Sequence, residues 1–92
     1  MYFPSNEALA LYVGENPHLS CLIVEHCQAL TLIPKLPSHL GSLHIFDCPG
    51  LVSLPELPGT LVILQVVKCP RLTSLPQLPK KVSILQVYDC QG

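Results

Sequence analysis

Cysteines recur along this chain at a constant interval, and cysteine is the residue type with the widest range of chemistry. Cys27, Cys48, Cys69 and Cys90 are spaced 21 residues apart, and Cys21 stands outside this column. Thiols can ligate metals or exchange as disulfides, but both uses favour a close Cys-x-x-Cys pairing that the column lacks. Because cysteine is among the most often buried residue types, we expect one buried thiol per repeat and neither a metal nor a cofactor.

A second group of residues has the types needed for nucleophilic catalysis. Cys21, Glu25 and His44 fall on one face of the predicted strands, where a thiol and an imidazole could pair as nucleophile and base. Such a reaction also needs an oxyanion-stabilising site and a pocket that excludes water, and the sequence supplies no feature of either kind. The sequence therefore predicts a protein that is not an enzyme and has no catalytic residues.

The charge balance argues against some classes of partner. The 92 residues carry five Lys/Arg and six Asp/Glu, a formal charge of −1, which lacks the basic footprint of a nucleic-acid binder. No apolar run approaches the roughly 18 residues of a membrane span, and the first residues lack the basic start of a secretory leader. The odd count of five cysteines also argues against a disulfide framework. We expect a cytoplasmic, reducing compartment, with no membrane and no nucleic acid as partner.

The cysteine column belongs to a longer repeat with a period of 21 residues. Leucine, valine, proline and cysteine recur in the same columns of each copy, and the regular copies align without a gap. Self-similarity of this kind predicts a solenoid, here one domain over residues 1–92 with a cap that starts at residues 1–8. The copies are residues 9–29, which are degenerate and lack the paired prolines, and the regular blocks 30–50, 51–71 and 72–92.

Each repeat must supply one strand and one return leg. The alternation at Leu43 and Ile45 has the period of a strand with one face inward, and stacked copies of it give a parallel ladder. The Leu-Pro-x-Leu-Pro leg cannot be helical, because proline lacks an amide hydrogen and restricts its predecessor. We expect an extended, polyproline-like convex side. Before the repeats, Ser5 can cap a short helix from Asn6 to about Tyr12, with Gly14 just after its end and Asn16-Pro17 as the stop.

These columns resemble those of leucine-rich repeat proteins, of the short, proline-marked class found in the recognition domains of secreted bacterial effectors. The pattern Leu-x-x-Leu-Pro-x-Leu-Pro-x-x-Leu-x-x-Leu-x-Val-x-x-Cys is clearest over residues 51–69, and it covers residues 30–92. The bacterial class usually has Asn where cysteine stands here, and cysteine in this column is also similar to the repeats of plant intracellular immune receptors. The resemblance implies a leucine-rich repeat solenoid that binds proteins, with the host cytosol as compartment if the chain is part of an effector.

In such a fold the strand side chains that point away from the core form a concave surface, which is our candidate for binding a protein partner. Phe46 and Tyr88 are the expected hot spots, because aromatic side chains give a large contact area at a low entropy cost. The predicted contact residues are Ile23, Glu25, His44, Phe46, Ile63, Gln65, Val67, Ile84, Gln86 and Tyr88.

The last repeat suggests an alternative function. We expect one flank of its apolar residues to be uncovered, and to carry both a hydrophobic patch and unpaired strand groups. A longer repeat array, a second copy of the chain or another partner would each cover this flank. The alternative is a structural element that self-associates into a homo-oligomer. Its predicted edge residues are Leu72, Leu75, Leu78, Leu85 and Val87.

Overall fold

A computed structural model of the chain describes residues 2–72 and 75–90. These residues form a solenoid, in which successive strands lie side by side in one parallel sheet in the order of the chain. Every paired strand residue lies beside the residue 21 positions later, so the sequence period becomes the register of the sheet. The predicted parallel ladder is therefore confirmed. The elements are α1 (Asn6–Glu15), β1 (Cys21–Glu25), β2 (Ser42–Phe46), β3 (Ile63–Val67) and β4 (Ile84–Tyr88).

The first three strands alternate buried and accessible side chains, as their apolar pattern predicts. In β2, Leu43 and Ile45 are buried, whereas Ser42, His44 and Phe46 remain partly accessible. The inner strand β3 repeats this pattern, and β1 differs only in a more exposed first residue. The alternation gives the sheet one face toward the core and one face toward solvent.

The chain turns sharply after every strand, through a residue with left-handed backbone. These residues are His26 (φ 54°), Asp47 (φ 55°), Lys68 (φ 58°) and Asp89 (φ 56°). The cysteine that follows each of them turns its sulfur back toward the carbonyl two residues earlier, with 3.6 Å between Cys48 Sγ and Phe46 O. Cys27, Cys48 and Cys69 are buried and Cys90 is half-buried, so the predicted column of thiols lies inside the turns.

The return legs contain neither helix nor strand over residues 33–37, 54–58 and 75–79. Each leg ends in a turn in which an amide donates back to the second proline, as Leu61 N does to Pro58 O at 3.1 Å. Within the first two of these legs, Leu36 and Leu57 are buried. The legs thus close each coil while their second leucine contributes to the core.

Helix α1 packs against the first coil and begins where predicted. The Ser5 hydroxyl accepts from Ala8 N at 3.1 Å and caps the helix. Asn6 joins the helix to the first return leg, because its Nδ2 donates to Thr31 Oγ1 at 3.0 Å and its Oδ1 accepts from Thr31 N at 3.1 Å. Leu9, fully buried, completes the core at this end of the solenoid.

The helix ends later than predicted. It runs to Glu15 rather than to about Tyr12, and Gly14 lies inside it. The helix continues to the predicted stop at Asn16-Pro17, since a proline disfavours helical backbone at its predecessor, and Asn16 leaves the helix with φ −128° and ψ 65°. Among the described residues, no helix is long and apolar enough to span a membrane.

Candidate partner-binding face

The outward side chains of the four strands form one surface, which we call the front face. The register places them in three rows that cross the strands, and all ten residues predicted for partner contact lie in these rows. The first row is Cys21, Ser42, Ile63 and Ile84; the middle row is Ile23, His44, Gln65 and Gln86; the last row is Glu25, Phe46, Val67 and Tyr88.

The middle row contains a ladder of side-chain hydrogen bonds. Gln65 Nε2 donates to Gln86 Oε1, and Gln65 Oε1 contacts His44 Nδ1. Because an amide oxygen can only accept, His44 Nδ1 must carry the hydrogen of this bond. The ladder therefore makes Nδ1 the donor of His44. His44 Nε2 lies near one end of the ladder, and the Gln86 amide nitrogen is a donor at the other.

Apolar side chains flank this ladder on both sides. Phe46 stacks on His44, with 6.3 Å between the ring centroids and 15° between the ring planes. Tyr88 in the last row is 55% exposed, and Ile84 in the first row is also exposed. A partner could bury these side chains while it forms hydrogen bonds with the ladder. This combination of apolar anchors and polar groups is typical of protein-binding surfaces.

Charged and titratable side chains border the front face in the left-handed turns. His26 Nδ1 lies 2.8 Å from Asp47 Oδ2, and both side chains are accessible to solvent. Since an ionised carboxylate only accepts, His26 donates this bond. Lys68 and Asp89 occupy the same position in the next coils. Acidic groups therefore alternate with histidine and lysine along this border, and no single sign of charge dominates it.

The described contacts of His44 are with Gln65 and Phe46 and not with the Cys21 thiol. Cys21 lies in the first row opposite Ser42, and it is exposed. His44 lies opposite Ile23 in the middle row, and its Nδ1 is engaged by Gln65. The geometry thus makes His44 part of the polar ladder.

Two thiols of the cysteine column, Cys48 and Cys90, are held in their protonated form, whereas the hydrogen bond with Cys48 lowers the pKa of Cys69 to about 7. All five cysteines lie within the described residues and are thiols rather than disulfides. A hydrogen bond with Cys69, together with burial, raises the pKa of Cys48 far above its ordinary value. Burial also raises the pKa of Cys90. The thiolate is the reactive and metal-binding form, so these two positions are poorly suited to either chemistry. Across residues 2–72 and 75–90, no group of three or more His, Cys, Asp or Glu side chains is arranged to hold a metal ion.

Sequence reasoning missed two open grooves between successive return legs. One lies between residues 35–38 and 55–59, and the other between residues 56–59 and 76–80. The available signal was the Leu-Pro-x-Leu-Pro spacing, because extended legs that lack a continuous hydrogen-bond ladder leave a channel between them. The grooves mix leucine and proline with Lys35, Glu56 and Lys80, a lining that selects no particular ligand chemistry.

Most of the predicted apolar edge of the last coil is accessible in the structure. Leu85 and Val87 are 44% and 38% exposed, although their counterparts Leu64 and Val66 in β3 are fully buried. Leu78 is exposed as well. We call Leu78, Leu85 and Val87 the end face.

Leu72 does not belong to this edge, and its prediction as an edge residue is wrong. It is only 3% exposed. Its amide donates to Cys69 O at 3.1 Å, so Leu72 sits in the turn after β3 and packs within the layer of the preceding coil. Leu75, the other residue predicted there, is half-buried and packs against the core.

Comparisons of the chain with protein families, with curated proteins and with solved structures found no match. The fold and the front face define the class of the protein as a parallel β-solenoid with one accessible sheet face.

Proposed function

We propose that the chain is a leucine-rich repeat module of the short, proline-marked class and that its front face binds a protein partner. The repeat columns support the assignment to this class, because the regular repeats over residues 30–92 share them. Leucines fill the core, prolines form the return leg and cysteine fills the turn. The observation that carries the binding proposal is the His44–Gln65–Gln86 ladder between two rows that contain accessible apolar side chains.

The front face is organised before a partner arrives. The ladder holds its side chains through internal hydrogen bonds, and Phe46 is stacked on His44. Ordering a mobile side chain at an interface costs about 0.5–1.5 kcal/mol, so side chains that are already held lose less on binding. Tyr88 adds a large aromatic surface with a hydroxyl that can bond to a partner. These properties favour Phe46 and Tyr88 as the anchors of the interface.

A protein is the partner that suits this surface. The chain has a formal charge of −1, and the charged border of the front face alternates in sign. This border therefore offers no continuous basic patch for the phosphates of a nucleic acid. The compartment that we propose is the cytoplasm, or the host cytosol for a secreted effector. An exposed thiol at Cys21 and a column of unoxidised thiols suit a reducing environment.

The test uses variants inside and outside the front face. Phe46→Ala and Tyr88→Ala remove the two anchors, and Val52→Ala removes an exposed side chain outside the strands as a matched control. A photo-reactive phenylalanine analogue at position 88 first captures the partner, and the same analogue at position 52 defines the background. We expect each anchor variant to weaken binding of the captured protein by at least about 2 kcal/mol, near thirtyfold in Kd. Equal capture from both positions, or unchanged affinity of both anchor variants, would contradict the proposal.

Self-assembly through the end face is a second candidate function. The observation that favours it is the exposure of Leu85 and Val87, whose counterparts one coil earlier are fully buried. An accessible apolar edge strand is a ready site for pairing with another chain. Leu85→Lys separates the two candidates, because it charges the end face and leaves the outward rows of the front face intact.

A further inference from the structure

Strand β4, the last strand that the structure describes, leaves specific backbone groups without partners. In the inner coils the carbonyl before a strand accepts from the next coil, as Val62 O does from Ser83 N at 2.9 Å. The amide after a strand donates to the next coil, as Lys68 N does to Tyr88 O at 2.9 Å. One period later these groups are Ser83 O and Asp89 N, and neither has the equivalent bond within residues 2–72 and 75–90.

The same edge carries further groups between these two ends. Backbone groups alternate in direction along a strand, and Tyr88 O points toward β3. The N–H and C=O groups of Leu85 and Val87 therefore point away from β3, toward the open edge. In order along the chain, the edge presents the Ser83 carbonyl, both groups of Leu85, both groups of Val87 and the Asp89 amide.

We propose that this edge pairs with the same edge of a second copy of the chain, antiparallel, about a two-fold axis that passes beside Gln86. Gln86 is the middle residue of β4, so this axis sets Leu85 opposite Val87 of the second copy and Ser83 opposite Asp89 of the second copy. Leu85 and Val87 then exchange both of their hydrogen bonds across the edge, and each Ser83 carbonyl accepts from an Asp89 amide. The inference rests on the second candidate function and identifies its interface.

The backbone groups favour this register over its neighbours. A shift of the axis from Gln86 to Leu85 would set Val87 opposite Ser83 and would move the Asp89 amide opposite Lys81, in the turn before the strand. An axis between Leu85 and Gln86 would change the register by one residue. It would set Leu85, whose backbone groups face the edge, opposite Gln86, whose backbone groups face β3. Only the axis at Gln86 uses every outward-pointing group from Ser83 to Asp89.

Side chains and charges support the same arrangement. The exposed Leu85 and Val87 meet their counterparts on the core side of the sheet, so the apolar interior continues from one copy into the other. On the front side, the Gln86 side chains of the two copies meet and extend the polar ladder. Lys80 and Lys81 precede β4 and Asp89 follows it, so antiparallel pairing sets the basic start of one strand beside the acidic end of the other.

The first experiment tests whether the end face joins two copies. Sedimentation of the full chain over a wide range of concentration is expected to show a mass that rises toward twice the monomer value. Leu85→Lys is expected to stay monomeric at every concentration, because it places a charge on the apolar side of the edge. Far-ultraviolet circular dichroism of this variant checks that the solenoid is retained. An exposed return-leg change, Lys35→Ala, serves as the control that still dimerises.

The second experiment tests the register. In a background with Cys21→Ser and Cys90→Ser, Gln86→Cys places two thiols across the axis, at a non-hydrogen-bonded pair with Cα atoms about 4.5 Å apart. That separation lies within the range for a disulfide. With oxidised glutathione as oxidant, we expect this variant to form a covalent dimer. Gln65→Cys, which lies one strand away in the same row, is expected to stay monomeric on a denaturing gel.

The outcomes separate the register from self-assembly. A concentration-dependent dimer with cross-linking at Gln86→Cys alone supports the proposal. A dimer in which Gln86→Cys does not cross-link, or cross-links no faster than Gln65→Cys, overturns the register and leaves self-assembly standing. A strict monomer at all concentrations overturns both.

Discussion

Leu64 and Leu85 are the same residue at the same repeat position, and their different burial gives a sharp test of the fold. They pair in register across β3 and β4, yet Leu64 is fully buried whereas Leu85 is 44% exposed. Truncation of a buried leucine to alanine costs about 2–5 kcal/mol, because the transfer free energy is lost and a cavity is left. We expect Leu64→Ala to lower the free energy of unfolding by about 3 kcal/mol.

For Leu85→Ala we expect a loss of about 1 kcal/mol. Roughly half of the transfer free energy is absent already, since the side chain is partly in water, and a site open to solvent leaves no closed cavity. The difference of about 2 kcal/mol corresponds to roughly 8–16 °C in Tm for a domain of this size. The whole chain is expected to be stable by only about 5–14 kcal/mol, so both variants should still fold at 25 °C.

Urea unfolding of the two variants at low protein concentration measures this difference, provided that the m-value is unchanged. Equal losses for both variants at low concentration would refute the assignment of Leu85 to an accessible edge. A loss below about 1 kcal/mol for Leu64→Ala would refute its place in the core. If the end face joins two copies, the loss in free energy of unfolding for Leu85→Ala should grow with protein concentration. The loss for Leu64→Ala should change much less with concentration.

Three further changes test the turns and the cap by urea unfolding. Gly50→Ala should destabilise by about 1 kcal/mol, because its Cβ would lie 3.0 Å from Leu30 O, whereas Gly59→Ala meets no atom within 4 Å and should be neutral or slightly stabilising; equal effects would contradict this packing. Lys68→Gly should stabilise by about 0.5–1 kcal/mol, since the left-handed φ of 58° strains lysine more than glycine; a loss of stability would contradict that backbone. Asn6→Ala should cost about 1 kcal/mol through its two lost bonds to the first return leg; an unchanged midpoint would show that they do not hold the helix.

The fixed period explains why the sheet could be predicted from the sequence. Once the columns repeat without a gap, stacking equal coils forces each strand residue beside its equivalent, and the pairs Leu43 with Leu64 and Leu64 with Leu85 follow. The front-face residues are then fixed by alternation. The period alone does not predict which residues are buried at the ends of the array. Leu72 aligns with the start of the last repeat, but the turn after Cys69 folds it into the preceding coil.

Side-chain and backbone details depended on geometry that the sequence does not state. The His44–Gln65–Gln86 ladder requires both the register and the rotamers of three side chains. The left-handed turns had little sequence signal, because histidine and lysine occupy two of them, and only aspartate hints at this backbone. For α1, Gly14 suggests an end near Tyr12 and Asn16-Pro17 a final stop, and the proline is the constraint that the helix follows.

The cysteine column allows local unfolding of the solenoid to be measured by thiol reactivity. Each turn carries one thiol, and the four are spaced evenly from the helix-covered end to the accessible end. In a repeat array that is held together by contacts between neighbours, coils can open from an end without global unfolding. The rates at which Cys90, Cys69, Cys48 and Cys27 react with an alkylating reagent would then give a stability profile along the axis, measured coil by coil in the native sequence.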